Sequence, residues 1–151
     1  MAQSLARLWT HLIFSTKEHY PYLTDAVMRD DMHRYLATVL RSHDCETINV
    51  GGCADHIHAL FALSRNHSIA ETVKEAKRTS SAWVKTIGRQ YSKFQWQAGY
   101  GAFSVSQSHM SRVQQYIERQ EEHHRRRTFQ DEFRELLKKY QIQFDERYVW
   151  D

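Results

Sequence analysis

Apolar and polar positions change their period along this chain, and the changes mark out its elements. Leu8 to Thr16 (LWTHLIFST) is short, rich in β-branched and aromatic residues, and followed by the only proline, Pro21, which reads as a strand and then a turn. From Thr24, read as an N-cap, apolar residues recur at Met28, Met32, Leu36, Val39 and Leu40, so a helix is expected to about His43. Glu46 to Val50 reads as a strand, Gly51-Gly52 as a turn, and His56 to Leu63 as the second strand of a hairpin with a somewhat long connection. Ser68 and Glu71 fit a capping box, and Ile69, Val73, Ala76, Trp83, Val84 and Ile87 continue one helical face until Gly88 stops it. Alternation at Tyr100, Ala102, Phe103 and Val105 suits a fourth strand. Two more helices are expected, one from Ser108 or Ser111 to Arg126 and one from a Thr128 cap to about Tyr140, before an aromatic tail packed on the body or on a partner.

Strand, helix, strand, strand, helix, strand, then helices is the order of an α+β, ferredoxin-like (RRM-like) split βαβ fold. It predicts a four-stranded antiparallel sheet with helices on one face plus C-terminal helices. With 151 residues, 41% of them hydrophobic, the chain is expected to form a single domain over 1–151, since chains usually divide only beyond about 200 residues. No apolar run approaches the roughly 18 residues of a membrane helix, and the N-terminus reads as no signal peptide. Cys45 and Cys53 are too few for a disulfide framework, so a reducing cytoplasm is expected and no membrane partner.

The net charge of +3 hardly points to nucleic acid, but its distribution does more. Between Arg65 and Lys93 seven basic residues face two acidic ones, and Lys74, Lys77, Arg78, Lys85 and Arg89 form a stripe that could track a phosphate backbone or be an ordinary solvated helix face. Phe94, Trp96, Tyr100 and Phe103 nearby could stack on bases or belong to the core.

The stretch DHIHALFAL raises the chemical question. His56 and His58 are two apart in a strand, so they project to one face and could reach one ion, or could be two polar residues on a solvated side. Asp55 faces the other way and suits an orienting role. Downstream, Tyr116 and Gln120 are four apart and stack on one helical face, as a buried tyrosine with a flanking glutamine would too. Together, two imidazoles and an amide oxygen form a neutral ligand set for Mg²⁺ or Mn²⁺, with positions left open for phosphate oxygens. A phenol one turn away could attack the phosphorus once something favours its phenolate, whose ordinary pKa is about 10. His123 and His124, among acids and arginines, read as solvated or DNA-facing surface.

His56-Ile57-His58 resembles the HUH motif, and YIERQ (Tyr116 to Gln120) resembles the tyrosine motif of the small single-tyrosine HUH transposases. These belong to bacterial insertion sequences that move as single-stranded DNA, together with the REP-associated tyrosine transposases. The opening HLIFSTK, the central SIAETVKEAKRTSSAWVK, WQAGYGAFSVS and the closing TFQDEFRELLKKY extend the likeness over nearly the whole chain. The resemblance implies His56, His58 and Gln120 as metal ligands and Tyr116 as the nucleophile, forming a 5′-phosphotyrosine link and releasing a 3′-OH. It implies single-stranded DNA with hairpin ends as substrate, a homodimer whose subunits can share active sites, and a nucleoid-associated enzyme of the bacterial cytoplasm. Rival readings are a non-catalytic single-stranded nucleic-acid-binding module on the same scaffold and an HUH nickase for replication or conjugation.

Overall fold

A computed structural model describes residues 2–151. Its elements are β1 (Trp9–Ser15), α1 (Ala26–Ser42), β2 (Glu46–Gly52), β3 (His56–Ala62), α2 (Ile69–Lys85), β4 (Gly101–Ser104), α3 (Met110–Glu118), α4 (Gln120–His123) and α5 (Phe129–Lys139). The strands pair antiparallel in the order β2-β3-β1-β4, that of the split βαβ fold.

Both faces of the sheet are covered. On one, Leu12, Phe14, Ile57, Ala59 and Phe61 pack against Met32, Leu36 and Leu40 of α1 and Val73, Ala76 and Val84 of α2. On the other, Trp9 and Leu60 pack on Met110 and Ile117 of α3, and Ile13 and Phe103 pack on Phe129, Phe133 and Leu137 of α5. Each large apolar side chain so buried stabilises the fold by about 1.5–3 kcal/mol relative to exposure. Helices on one face therefore describe α1 and α2, while the C-terminal helices form the opposite layer. The reason lies in β1 and β3, which are buried at almost every position and would expose apolar surface if either face were open.

Several boundaries differ from the sequence reading for local reasons. The cap of α1 is Asp25, whose Oδ1 accepts from the Met28 N–H at 2.9 Å, because the Thr24 hydroxyl instead donates to the Pro21 carbonyl at 2.7 Å. Ser68 and Thr128 cap α2 and α5, accepting from the Glu71 and Asp131 N–H groups. α2 ends at Lys85 under a Thr86 cap, short of Gly88. The helix expected to run to Arg126 stops at Glu118, and Arg119 (φ −99°, ψ 18°) separates it from α4.

Gly51-Gly52 is not a turn but the end of β2, and Cys53, Ala54 and Asp55 make the connection to β3. Gly52 has φ +149°, outside the range other residues adopt easily. At Gly51 a Cβ would come within 2.8 Å of the Ile117 Cγ2 and of its carbonyl oxygen, so the missing side chain lets α3 lie directly on the sheet. The Asn49 Nδ2 donates to the Gln114 carbonyl at 3.2 Å and fixes the same contact. The helix that carries Tyr116 is thereby seated on its own β2.

Lys77 reaches off α2 to donate to the carbonyls of Gln97, Ala98 and Gly99 at 2.8, 3.3 and 2.6 Å, with its ammonium 4.9 Å from the centre of the Phe14 ring. It clamps the segment leading into β4, and the C-terminus closes on that segment too, the Asp151 carbonyl accepting from the Gly99 N–H at 2.8 Å. Lys77→Met keeps the apolar stem but abandons three carbonyls, and is expected to lower the unfolding free energy by about 1–3 kcal/mol, read from the urea midpoint. Among the described residues, no helix is long and apolar enough to cross a membrane.

Candidate active site

The alternation of β3 sends His56, His58 and Leu60 to the α3–α5 face and Ile57, Ala59 and Phe61 to the core under α1 and α2. Antiparallel pairing sets Ile13 opposite His58, so His11, two residues back on β1, points the same way. Its Nε2 lies 2.7 Å from the His58 Nδ1. From the helical layer come Tyr116 on α3, Gln120 at the start of α4, His124 just after α4, and Glu132 on α5.

Glu132 is the centre of this cluster. Fully buried, its Oε1 lies 3.0 Å from the His58 Nε2, 3.6 Å from the His56 Nε2 and 3.2 Å from the His124 Nε2, the last without hydrogen-bond alignment. Its Oε2 accepts from the Gln120 Nε2 at 3.1 Å and from the Tyr116 hydroxyl in a short hydrogen bond. The Gln120 Oε1 faces the His56 Nε2 at 2.9 Å, and the His56 Nδ1 meets the Asp55 Oδ1 at 2.7 Å. Asp55 therefore orients His56, from a side chain still 27% exposed.

The electrostatics follow from this burial. Desolvation, helped by the neighbouring His58, pulls the His11 pKa down to about 3, so that ring is neutral. Burial also lowers His58, against the opposing pull of Glu132. For Glu132 burial acts upward, and the imidazoles of His124, His58 and His56 more than reverse it, holding the carboxyl well below its usual range. Burial, then the Glu132 charge and hydrogen bond, push the Tyr116 phenol above its ordinary value. The resting site is a carboxylate ringed by donors, with a protonated phenol at its edge.

The donor set fits a divalent cation. One ligating atom from each of His56, His58 and Glu132 lies within 4.8 Å of the other two. The observed 3.0 and 3.6 Å separations are near the about 3 Å between adjacent ligands of an octahedral ion. The His56 Nε2 and the Gln120 oxygen, 2.9 Å apart, could serve a cation as neighbouring ligands, while the Asp55 contact at Nδ1 fixes the ring. A softer set, Cys53, His56 and His124, shares His56.

His56, His58, Gln120 and Tyr116 thus come together. The basic stripe does not join them: α2 lies across the sheet, Lys77 is committed to carbonyls, Arg78 is paired with Glu75, and Lys74, Lys85 and Arg89 are exposed. His124, read as surface, is turned inward with only 11% of its side chain exposed. The sequence reading missed Glu132 and His11. The signal for Glu132 was present: it shares a helical face with Phe129, Phe133 and Leu137, and an acid inside an apolar stripe is seldom there for solvation.

Fold and site together define an α+β protein of the split βαβ class with a buried histidine–carboxylate centre beside a tyrosine helix. The profile of the IS200-like transposases matches residues 4–120, and the chain belongs to that family. Among solved structures, a candidate transposase from Deinococcus radiodurans is similar at 24% identity and TM-score 0.62, over 80% of this chain and 95% of that one. A REP-associated tyrosine transposase bound to a REP hairpin is similar at 10% identity and TM-score 0.52, over 80% of this chain and 70% of that one. At these identities the likeness is one of fold. No curated protein matches the chain.

Proposed function

We propose that this transposase cuts and rejoins single-stranded DNA at hairpin-bearing ends, with Tyr116 as nucleophile and Mg²⁺ or Mn²⁺ held by His56, His58 and Gln120. The carrying observation is that the Gln120 Oε1 meets the His56 Nε2, while the His58 Nε2, the Gln120 Nε2 and the Tyr116 hydroxyl all meet one carboxylate, Glu132. The phenolic oxygen gives up its proton and attacks the phosphorus, the bond to the 3′ oxygen breaks, and that oxygen takes up a proton in exchange as a free 3′-OH. The 5′ phosphate stays on Tyr116 until a second 3′-OH attacks it and expels the phenol, so no external energy is consumed. A bound ion would stabilise charge on the phosphate oxygens as a Lewis acid. Glu132 fixes the phenol and holds its proton until the strand arrives. The hairpin-bound neighbour supports hairpin DNA as partner.

A binding module on this scaffold has no use for three buried imidazoles, a buried amide and a buried carboxylate, each costly to desolvate. We further take the chain to act as one domain in the bacterial cytoplasm, at the nucleoid, as a homodimer in which each site is complete within one protomer.

The test is incubation of labelled hairpin-bearing single strands, taken from the DNA flanking the gene, with the protein and Mn²⁺ or Mg²⁺. A covalent adduct is expected on denaturing gels, lost with EDTA and reduced at least about 10⁴-fold in Tyr116→Phe, the scale on which single nucleophiles act. Adduct persisting in Tyr116→Phe would sink the assignment.

A further inference from the structure

A cavity of about 770 Å³ runs between α3 and α5, with Tyr116 and Glu132 in its lining. Two helical faces build its walls: His109, Arg112, Val113 and Tyr116 on one side, Glu132, Glu135, Leu136 and Lys139 on the other. Ser104 to Ser106, at the end of edge strand β4, lie along it. The volume is that of a ligand pocket, ample for a nucleotide.

The charges of this groove are not spent evenly. Arg127 is bound to Glu135 at 2.7 Å, and Glu132 is enclosed by the histidines, Gln120 and Tyr116. Arg112 and Lys139 have no ion-pair partner among the described residues, so the uncommitted charge in the groove is positive. Tyr140, with the Lys139 ammonium 5.7 Å from its ring centre, is backed by Phe103, the ring centres 4.6 Å apart and nearly parallel at 20°, and held by a hydrogen bond from its hydroxyl to the Ser104 carbonyl at 3.2 Å. A ring supported from behind and lining a cationic groove is the arrangement that holds an unpaired base, because stacking needs a fixed platform and a backbone charge nearby.

We propose that this groove holds the unpaired nucleotide beside the phosphate to be cut, with Arg112 and Lys139 on the strand's backbone and Tyr140 against its base. The assignment rests on the strand-transfer reading above, and places the working DNA contacts on the α3–α5 side of the sheet.

Fluorescence anisotropy of the metal-free full chain with a labelled oligothymidylate of about 20 nucleotides tests it, a length exceeding single-strand site sizes. Arg112→Ala and Lys139→Ala are each expected to weaken binding about threefold to tenfold and to reduce the log–log salt slope by about 0.7, one single-strand phosphate contact. Tyr140→Leu, which keeps apolar cover over Phe103, is expected to weaken it at least about fivefold. Arg34→Ala on α1 removes a charge of the same sign from a remote surface and leaves affinity unchanged. Wild-type affinity in both Arg112→Ala and Lys139→Ala overturns the groove assignment, whatever the wild-type adduct shows. Weakened binding in those variants with no Tyr116 adduct in the wild type keeps the groove and removes the strand-transfer reading.

Discussion

An equimolar mixture of His56→Ala and Tyr116→Phe proteins is expected to form no more covalent DNA adduct than either variant alone. If the tyrosine helix of one subunit completed the histidine site of another, a heterodimer would carry one site with both groups intact. Random pairing would then restore about one quarter of the wild-type adduct. The contacts oppose that exchange. Tyr116 binds Glu132 and Gln120 binds His56 within one chain. Ile117, the next residue after Tyr116, lies so close over Gly51 that a methyl group there would collide with it. No linker separates that seat from the nucleophile, so Tyr116 cannot reach another subunit unless α3 leaves its own sheet. Recovery of adduct to near one quarter of wild type would mean that α3 does leave.

The seat on Gly51 also shows what could be read from the sequence and what could not. The order of elements was legible because each has its own signal: apolar spacing for α1 and α2, Ser68 and Thr128 as caps, and an apolar strand headed by two histidines. The alternation placing His56 and His58 on one face and the helical spacing of Tyr116 and Gln120 are local rules, so these residues stood out without a tertiary contact. His11 and His124 had no such pattern to reveal them, and Glu132 had only its place in the apolar stripe of α5, which marks it as buried without saying what it meets. Each joins the site through a contact far along the chain, and Glu132 lies beyond the 4–120 stretch that the family profile matches. Gly51-Gly52 was misread for the same reason, since a glycine pair looks like a turn until the helix that needs the space is known. The basic stripe on α2 was a pattern of charge alone, and charge patterns do not say which cations the fold will use for itself, as it does Lys77.

Replacing Glu132 by alanine is expected to lower the unfolding free energy by about 3–5 kcal/mol in metal-free buffer, measured from the urea midpoint. The carboxylate serves several buried groups at once, and its loss strands the His58 Nε2, the Gln120 amide and the Tyr116 hydroxyl, each costing about 1–3 kcal/mol if unpaired. The full sum is not expected, because alanine also removes the cost of burying the charge. Glu132→Gln keeps the shape and one acceptor oxygen, but sets an N–H where either a donor or the metal would be faced, and should fall between the two. The pH dependence has a definite sign. Because the folded carboxyl is held below its ordinary value of 4.5, its contribution is fully present above that pH and is lost as the pH falls further, so the gap between wild type and Glu132→Ala should narrow below about pH 4.5. Equal urea midpoints for the two proteins at neutral pH would mean that the surrounding donors do no more than offset the burial of the charge. Glu132 would then be kept for the ion and the phenol it faces and not for the fold, a distinction that Mn²⁺ binding to the same two proteins would make directly.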